Sequence, residues 1–322
     1  MKRIVIFLAT CLSTGAFAQF DGAALTPGSL AIDKDSSAII AWANYCEVER
    51  GWLDISNKAL GLASYGTDDL GTGYVNGLDV VSLGDSGIAT LSFNPSIADG
   101  PGPDFAIFEN SFSHNFLELA FVEVSSNGVD FYRFPAISNF PDTSQIGPFD
   151  VISDPTRLHN LAGKYRSTFG TPFDLNELDT IQELNINQIT HVRIVDVVGS
   201  VNPSFGSQDI NGNYINDPFP TPFPSGGFDL DGVAVLHQGP LSNEELTSEG
   251  VSIYPNPVRS GSAIQIQSSA EITSIQIFNL MGSLIYQGNL AELKTIQLNE
   301  GAYLICVETN ANIHRQKLKV TH

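Results

Sequence analysis

The stretch Leu119-Ala-Phe-Val-Glu-Val-Ser125-Ser-Asn-Gly-Val-Asp-Phe131 decides the fold class. An apolar, β-branched run leads into Ser-Asn-Gly, whose last two residues favour a tight turn, and a second β-prone run follows, which together signal a hairpin. Residues Thr190 to Val198 repeat the strand signal. There Val192 and Ile194 face one side while His191 and Arg193 face the other, the period of two that a half-buried strand requires. Working outward, Leu78 to Leu83, Gly87 to Phe93, Phe105 to Phe108, Leu117 to Ser125, Val129 to Phe134 and Phe228 to Leu236 read as further strands separated by Gly, Pro, Asn and Asp. Clear helices are scarce. The fold class is therefore all-β, an antiparallel sandwich over residues 19–240. Residues 135–187 and 202–227 are long for connections in such a domain, which marks them as functional loops.

Length and charge bound the function. The chain has 322 residues with 35 acidic and 15 basic side chains, a net charge of −20, and two domains are expected for that length. Nucleic acid is excluded as a partner because phosphate binding needs clustered Lys and Arg. The acidity is confined to residues 19–240, which hold 28 acids and 8 bases, whereas residues 241–322 hold 7 and 5. At the start, Lys2 and Arg3, the apolar run Ile4 to Leu12 and Ala16-Phe17-Ala18 have the layout of a secretory signal, residues 1–18. No stretch reaches the ~20 apolar residues of a membrane-spanning helix, so the protein is expected to be secreted. A polar, turn-rich segment at 241–250 reads as the linker to a second domain, 251–322. Outside the signal only Cys46 and Cys306 remain, too few for a disulfide framework. Two buried free thiols is the simplest expectation for them.

The second domain carries an ordered set of motifs: Tyr254-Pro-Asn-Pro257, Ile277-Phe-Asn-Leu-Met-Gly282, Leu298-Asn-Glu-Gly-Ala-Tyr303 and Lys317-Leu-Lys-Val320. Over about 70 residues these resemble the type A C-terminal sorting domain of the type IX secretion system. The resemblance implies a small Ig-like β-sandwich, engagement of that secretion machinery through residues 251–322, export across the outer membrane, and surface attachment or release.

Four patterns in the acidic domain carry potential chemistry. In Asp99-Gly-Pro-Gly-Pro-Asp104-Phe-Ala-Ile-Phe-Glu109-Asn110 a stiff loop delivers a strand flanked by Asp104 and Glu109. In Phe228-Asp229-Leu-Asp231 two carboxylates on one strand face repel each other unless a cation, a donor network or protonation intervenes. Asp104, Glu109, Asp229 and Asp231 are accordingly the expected metal set, with calcium as the ion, against separate hydrogen-bonded turn carboxylates. Asp209-Ile-Asn-Gly-Asn213-Tyr-Ile-Asn-Asp217 spaces oxygens like a calcium loop but lacks the Gly at position 6 and the acid at position 12, so an Asx turn competes with a metal site there. The paired strands of the opening hairpin and Thr190-His-Val-Arg-Ile-Val-Asp196 resemble discoidin-like, galactose-binding-like jelly rolls of bacterial cell-surface proteins. That resemblance implies a calcium-stabilised module binding an extracellular glycan or surface ligand, for which Asn110, Phe112, Asn115, Tyr214 and Phe223 are candidate contacts. No catalytic motif is present. A glycan hydrolase using Glu109 and Asp231, or a purely structural surface protein, are the alternatives.

Overall fold

The computed structural model describes residues 20–151, 154–239, 251–268, 270–293, 298–310 and 313–322. The expected signal, 1–18, and linker, 241–250, lie outside the described residues. Two compact units divide the chain between Leu241 and Ser242.

In the first unit the strands run β1 (Ile32–Asp33), β2 (Ala41–Trp42), β3 (Cys46–Glu49), β4 (Val81–Ser82), β5 (Ile88–Ile97), β6 (Phe105–Glu109), β7 (Ala120–Ser125), β8 (Tyr132–Arg133), β9 (Ile137–Ser138), β10 (Leu158–His159), β11 (Phe169–Phe173), β12 (Ile189–Asp196) and β13 (Asp229–Val235). One sheet has the order β1-β11-β6-β13-β2, with β4 also on β13, and the other the order β3-β5-β12-β7-β8. All pairings in both sheets are antiparallel. The inner faces meet in one core: Phe105, Ile107, Leu230, Val233 and Val235 from the first sheet, Leu91, Val122, Val124, Val192 and Ile194 from the second. Alternation in β12 places Val192 and Ile194 inside and leaves His191 and Arg193 half-exposed, as the period of two requires. The unit is an all-β sandwich.

Two features depart from the sequence reading. The opening hairpin turns over more residues than Ser-Asn-Gly: β7 ends at Ser125 and β8 starts at Tyr132. Asn127 Oδ1 there accepts the amides of Val129 and Asp130, both at 2.9 Å, which spends on a turn the residues expected to extend the second strand. Within residues 135–187, expected as a loop, β11 sits in mid-sheet between β1 and β6. Gly170 and Pro172 had hidden it, since both residues weaken a strand signal. Each has a local reason. A Cβ on Gly170 would strike the Phe108 ring, and Pro172 lies beyond the residues that β1 pairs.

The second unit contains β14 (Val251–Tyr254), β15 (Val258–Arg259), β16 (Gln265–Ser268), β17 (Ile272–Asn279), β18 (Leu284–Gly288), β19 (Gly301–Thr309) and β20 (Ile313–Thr321). A two-stranded sheet, β14-β16, and a five-stranded sheet, β15-β20-β19-β17-β18, enclose a core of Ile253, Val258, Ile266, Ile275, Ile277, Ile305, Val307 and Leu318. It too is an all-β sandwich, with β15 parallel to β20. Cys46 and Cys306 are free; Cys46 is buried, whereas Cys306 is only half-buried, on β19.

Candidate functional site

The ends of the strands sort the acidic residues into two groups. Asp104 and Glu109 flank β6, so the strand rise puts their Cα atoms roughly 16 Å apart, and the four expected metal ligands do not form one set. Asp104 is fully buried. Its carboxylate accepts the amides of Gly100 at 2.7 Å and Leu175 at 2.8 Å and contacts His237 Nδ1 at 2.8 Å. Oxygens of Asp99, Asp104 and Asp174 come within 4.8 Å of one another at that end.

Glu109 lies at the other end, opposite Leu230 of β13, and Asp229 and Asp231 lie beside it. A bulge between Leu230 and Gly232 interrupts the β13–β6 register, and the two aspartates serve separate partners. Asp229 accepts the Ser82 hydroxyl. Asp231 accepts the amides of Gly77 at 2.7 Å and Asn76 at 3.3 Å. Burial, then the Asp229 carboxylate, raises the Glu109 pKa well above the usual range; burial pushes Asp229 up to about 6. Glu109 and Asp231 are 2% and 3% exposed and their oxygens hold backbone amides. Both carboxyls of the expected hydrolase pair are thus engaged by the backbone.

The same rim holds four more carboxylates, of which the motif reading notes Asp217 in the Asp209 loop and Asp196 at the end of a strand but passes over Asp85 and Glu118. Asp85 sits in the β4–β5 turn, Glu118 precedes β7, Asp196 ends β12, and Asp217 belongs to the loop before β13. Together with Val197, Gly199, Pro218, Thr221 and Gly227 they line a cavity of about 10 Å³. Asp196 accepts the amides of Phe228 at 2.7 Å and Ser86 at 3.0 Å, which joins the two sheets at this end. Burial raises all four: Asp85 to about 6, Asp196 and Asp217 well above the carboxylate range with further upward pressure from Asp85, and Glu118, half-buried, well above it with added pressure first from Asp229 and Glu109. A usable signal was present for Asp196. It has the parity of Val192 and Ile194, so the strand period places an acid on the inner face.

The Asp209 loop is a turn. Asp209 accepts the amides of Asn211 and Asn213 through Oδ1, both at 2.9 Å, and that of Ser138 through Oδ2 at 3.2 Å, so its oxygens are spent on the backbone. The candidate ligand contacts lie on loops. Asn110 and the loop to Phe116 leave the acidic rim directly after Glu109; Phe112, 79% exposed, stacks on Phe116 with centroids 4.9 Å apart, and Asn115 is exposed. Phe223 is exposed beside Phe149, centroids 6.0 Å apart. Its loop returns to the cavity wall through bonds from Phe223 N to Thr221 O and from Gly226 N to Phe223 O. Tyr214 is half-buried in the 208–214 turn.

The chain thus consists of two all-β units, the larger strongly acidic. Residues 252–321 match the family model described as the secretion system C-terminal sorting domain. The tail is thus a type IX sorting domain, and the protein is directed to the cell surface or the extracellular medium. No curated protein matches the chain. Among solved structures the chain is similar, at 13% identity and a TM-score of 0.17, to HBP35 of Porphyromonas gingivalis, over 87% of this chain and 64% of that one, a likeness that establishes neither a shared fold nor a shared activity. Among the described residues no helix is long and apolar enough to cross a membrane.

Proposed function

We propose that residues 20–239 form an extracellular binding module whose ligand is an uncharged glycan, carried to the cell surface by the sorting domain. The observation that carries this reading is the exposure of Phe112, Phe149 and Phe223, 79%, 77% and 41%, on loops rather than in the core. Exposed rings offer flat apolar faces to the C–H side of a sugar, and Asn110 and Asn115 in the Phe112 loop supply amide groups for hydroxyls. The acidic surface argues for a neutral polymer, since an anionic one would be repelled. The likeness to galactose-binding-like jelly rolls supports the reading through strand patterns only.

A glycan array on the full mature chain tests it. Binding to at least one neutral glycan is expected, with Phe112→Ala and Phe223→Ala each lowering affinity tenfold or more while leaving the melting temperature unchanged. Absence of any glycan binding, or binding indifferent to both substitutions, refutes the proposal and leaves a structural surface protein as the better account.

A further inference from the structure

The dipeptide Asn-Gly occurs three times in the larger unit, at Asn76-Gly77, Asn127-Gly128 and Asn211-Gly212. It is the asparagine context most prone to cyclise, because a glycine nitrogen has no adjacent Cβ to hinder its attack on the side-chain carbonyl and its backbone turns freely. All three asparagines are exposed, and all three glycines have a positive φ, 77°, 74° and 83°. Dipeptide, exposure and backbone conformation therefore predict equal reactivity. The hydrogen bonds and the space around each site do not.

At 76 and 127 the side chain is held at both ends. Asn76 Oδ1 accepts the amides of Leu78 at 2.8 Å and Asp79 at 2.9 Å, while Nδ2 donates to Asp79 Oδ2 at 2.8 Å. Asn127 repeats the arrangement, with Oδ1 on the amides of Val129 and Asp130 and Nδ2 donating to Asp130 Oδ2, each at 2.9 Å. The nitrogens that would attack are engaged as well, Gly77 N by the Asp231 carboxylate at 2.7 Å and Gly128 N by Ser125 Oγ at 2.9 Å. Both glycines are also crowded: a Cβ on Gly77 would collide with Ser167 Oγ, and one on Gly128 with the His191 ring. Asn211 differs on each count. Its backbone amide is tied to Asp209 Oδ1 at 2.9 Å, but its carboxamide has no hydrogen-bond partner among the described residues. Gly212 N donates to a turn carbonyl, Asp209 O, at 3.0 Å, Gly212 O accepts Gln208 Nε2 at 3.2 Å, and a Cβ on Gly212 would meet nothing.

We propose that Asn211 is a deamidation site, at which the folded chain converts asparagine to aspartate and isoaspartate. The Gly212 nitrogen gives up its proton and attacks Asn211 Cγ. A new N–Cγ bond closes a five-membered succinimide, the Cγ–Nδ2 bond breaks, and the side-chain nitrogen leaves with that proton as ammonia. Water then opens the ring at one of its two carbonyls, giving aspartate when Cγ is attacked and isoaspartate when the backbone carbonyl carbon is attacked. Nothing is oxidised or reduced; water is exchanged for ammonia, and the turn gains one negative charge at neutral pH. The locked sites must first break several side-chain hydrogen bonds, each of which slows the step several-fold. Asn211 needs only the exposed turn bond of Gly212 to open, and such bonds open most readily. The product carboxylate stands in the turn of Asp209, which also carries Tyr214, so modification alters the surface around one candidate ligand contact. The chemistry itself does not depend on the glycan reading.

The test incubates the full mature chain, folded, at pH 8 beside the same chain held unfolded in guanidinium chloride, and reads aspartate and isoaspartate at positions 76, 127 and 211 by peptide mass spectrometry over time. In the unfolded chain, where the locking bonds are gone, the three sites should convert within about threefold of one another. In the folded chain position 211 should convert at least about tenfold faster than 76 and 127. Isoaspartate should accompany aspartate at 211, because direct hydrolysis of the side chain, without the ring, gives aspartate alone. Conversion of 76 or 127 as fast as 211 in the folded chain overturns the proposal. So does a folded position 211 that stays unmodified while the unfolded chain converts, or one that yields aspartate without isoaspartate.

Discussion

Asp21 and Lys164 tie the first described residues to the body of the larger unit, and breaking the pair from its two sides should have unequal costs. Lys164 Nζ lies 2.5 Å from Asp21 Oδ1, and Lys164 is 3% exposed beside the small cluster of Ala24, Tyr165 and Phe169. Asp21 is better provided for, since it also accepts the Tyr165 hydroxyl and, at 3.1 Å, the Leu30 amide. In Lys164→Met the carboxylate keeps those two donors, so the expected loss is about 1–2 kcal/mol. In Asp21→Asn the ammonium has no anion. Burial already depresses the Lys164 pKa with Asp21 present, and without it the lysine sheds its proton on folding. Holding a lysine of ordinary pKa 10.5 neutral at pH 7 costs at most about 5 kcal/mol, and measured losses from breaking buried pairs run at about 3–5 kcal/mol. The pH dependence has a definite sign. Between the depressed and the ordinary pKa the unfolded variant binds more protons than the folded one, so its stability rises with pH. Urea unfolding followed by tryptophan fluorescence isolates the larger unit, because Trp42 and Trp52 are the chain's two tryptophans. The reasoning is refuted if Asp21→Asn and Lys164→Met cost the same within 1 kcal/mol (an order-of-magnitude margin), or if the Asp21→Asn deficit does not shrink between pH 7 and pH 9.5.

Two further outcomes are expected. Phe173 packs on Phe134 and Phe105, with centroids 5.1 Å and 5.4 Å away, so Phe173→Ala should cost about 3–5 kcal/mol in the same unfolding assay; a loss under 1 kcal/mol would mean that the ring is not in the core. Burial pushes the Cys46 thiol up to about 12, so iodoacetamide at pH 8 should leave it unmodified in the folded protein and alkylate it only after denaturation, as read by peptide mass spectrometry.

The sandwich was legible because its central strands obey one rule. In β5, β7 and β12 apolar side chains fill the inner face, and the turn formers between them mark where pairing stops. The rule failed where a strand's sequence answers to its neighbours rather than to its own face. β11 accepts a glycine because the Phe108 ring occupies the place of a side chain, and a proline because one of its edges is open at that point. β2 is two residues long, held by β13 and invisible without it, whereas β4 falls inside the expected strand Leu78 to Leu83 but keeps only two of its residues. In the tail the strand runs and the family motifs coincide, so fold and destination were legible together.

The acidic rim shows why a site is harder to find than a fold. Motif spacing selected carboxylates that are close in sequence, Asp229 with Asp231 and Asp104 with Glu109, yet a strand separates its two ends by its full length and a bulge gives neighbouring acids different partners. The carboxylates that converge come from four connections far apart in the chain, and each looks local: Asp85 in a Gly-Asp-Ser-Gly turn, Asp217 before a proline, Glu118 between two leucines. Two of them carry a physical signal, an acid embedded in an apolar run, Leu117-Glu118-Leu119 and Val195-Asp196-Val197. A strand period that turns such an acid inward commits the protein to compensating its charge. The bases of this unit are engaged elsewhere, so backbone amides carry part of the compensation at Asp85, Asp196 and Asp217, and beyond them the choice is between protons and an added cation. These two have opposite signatures, because protonation stabilises the metal-free protein as pH falls whereas a cation stabilises it most where the carboxylates are ionised.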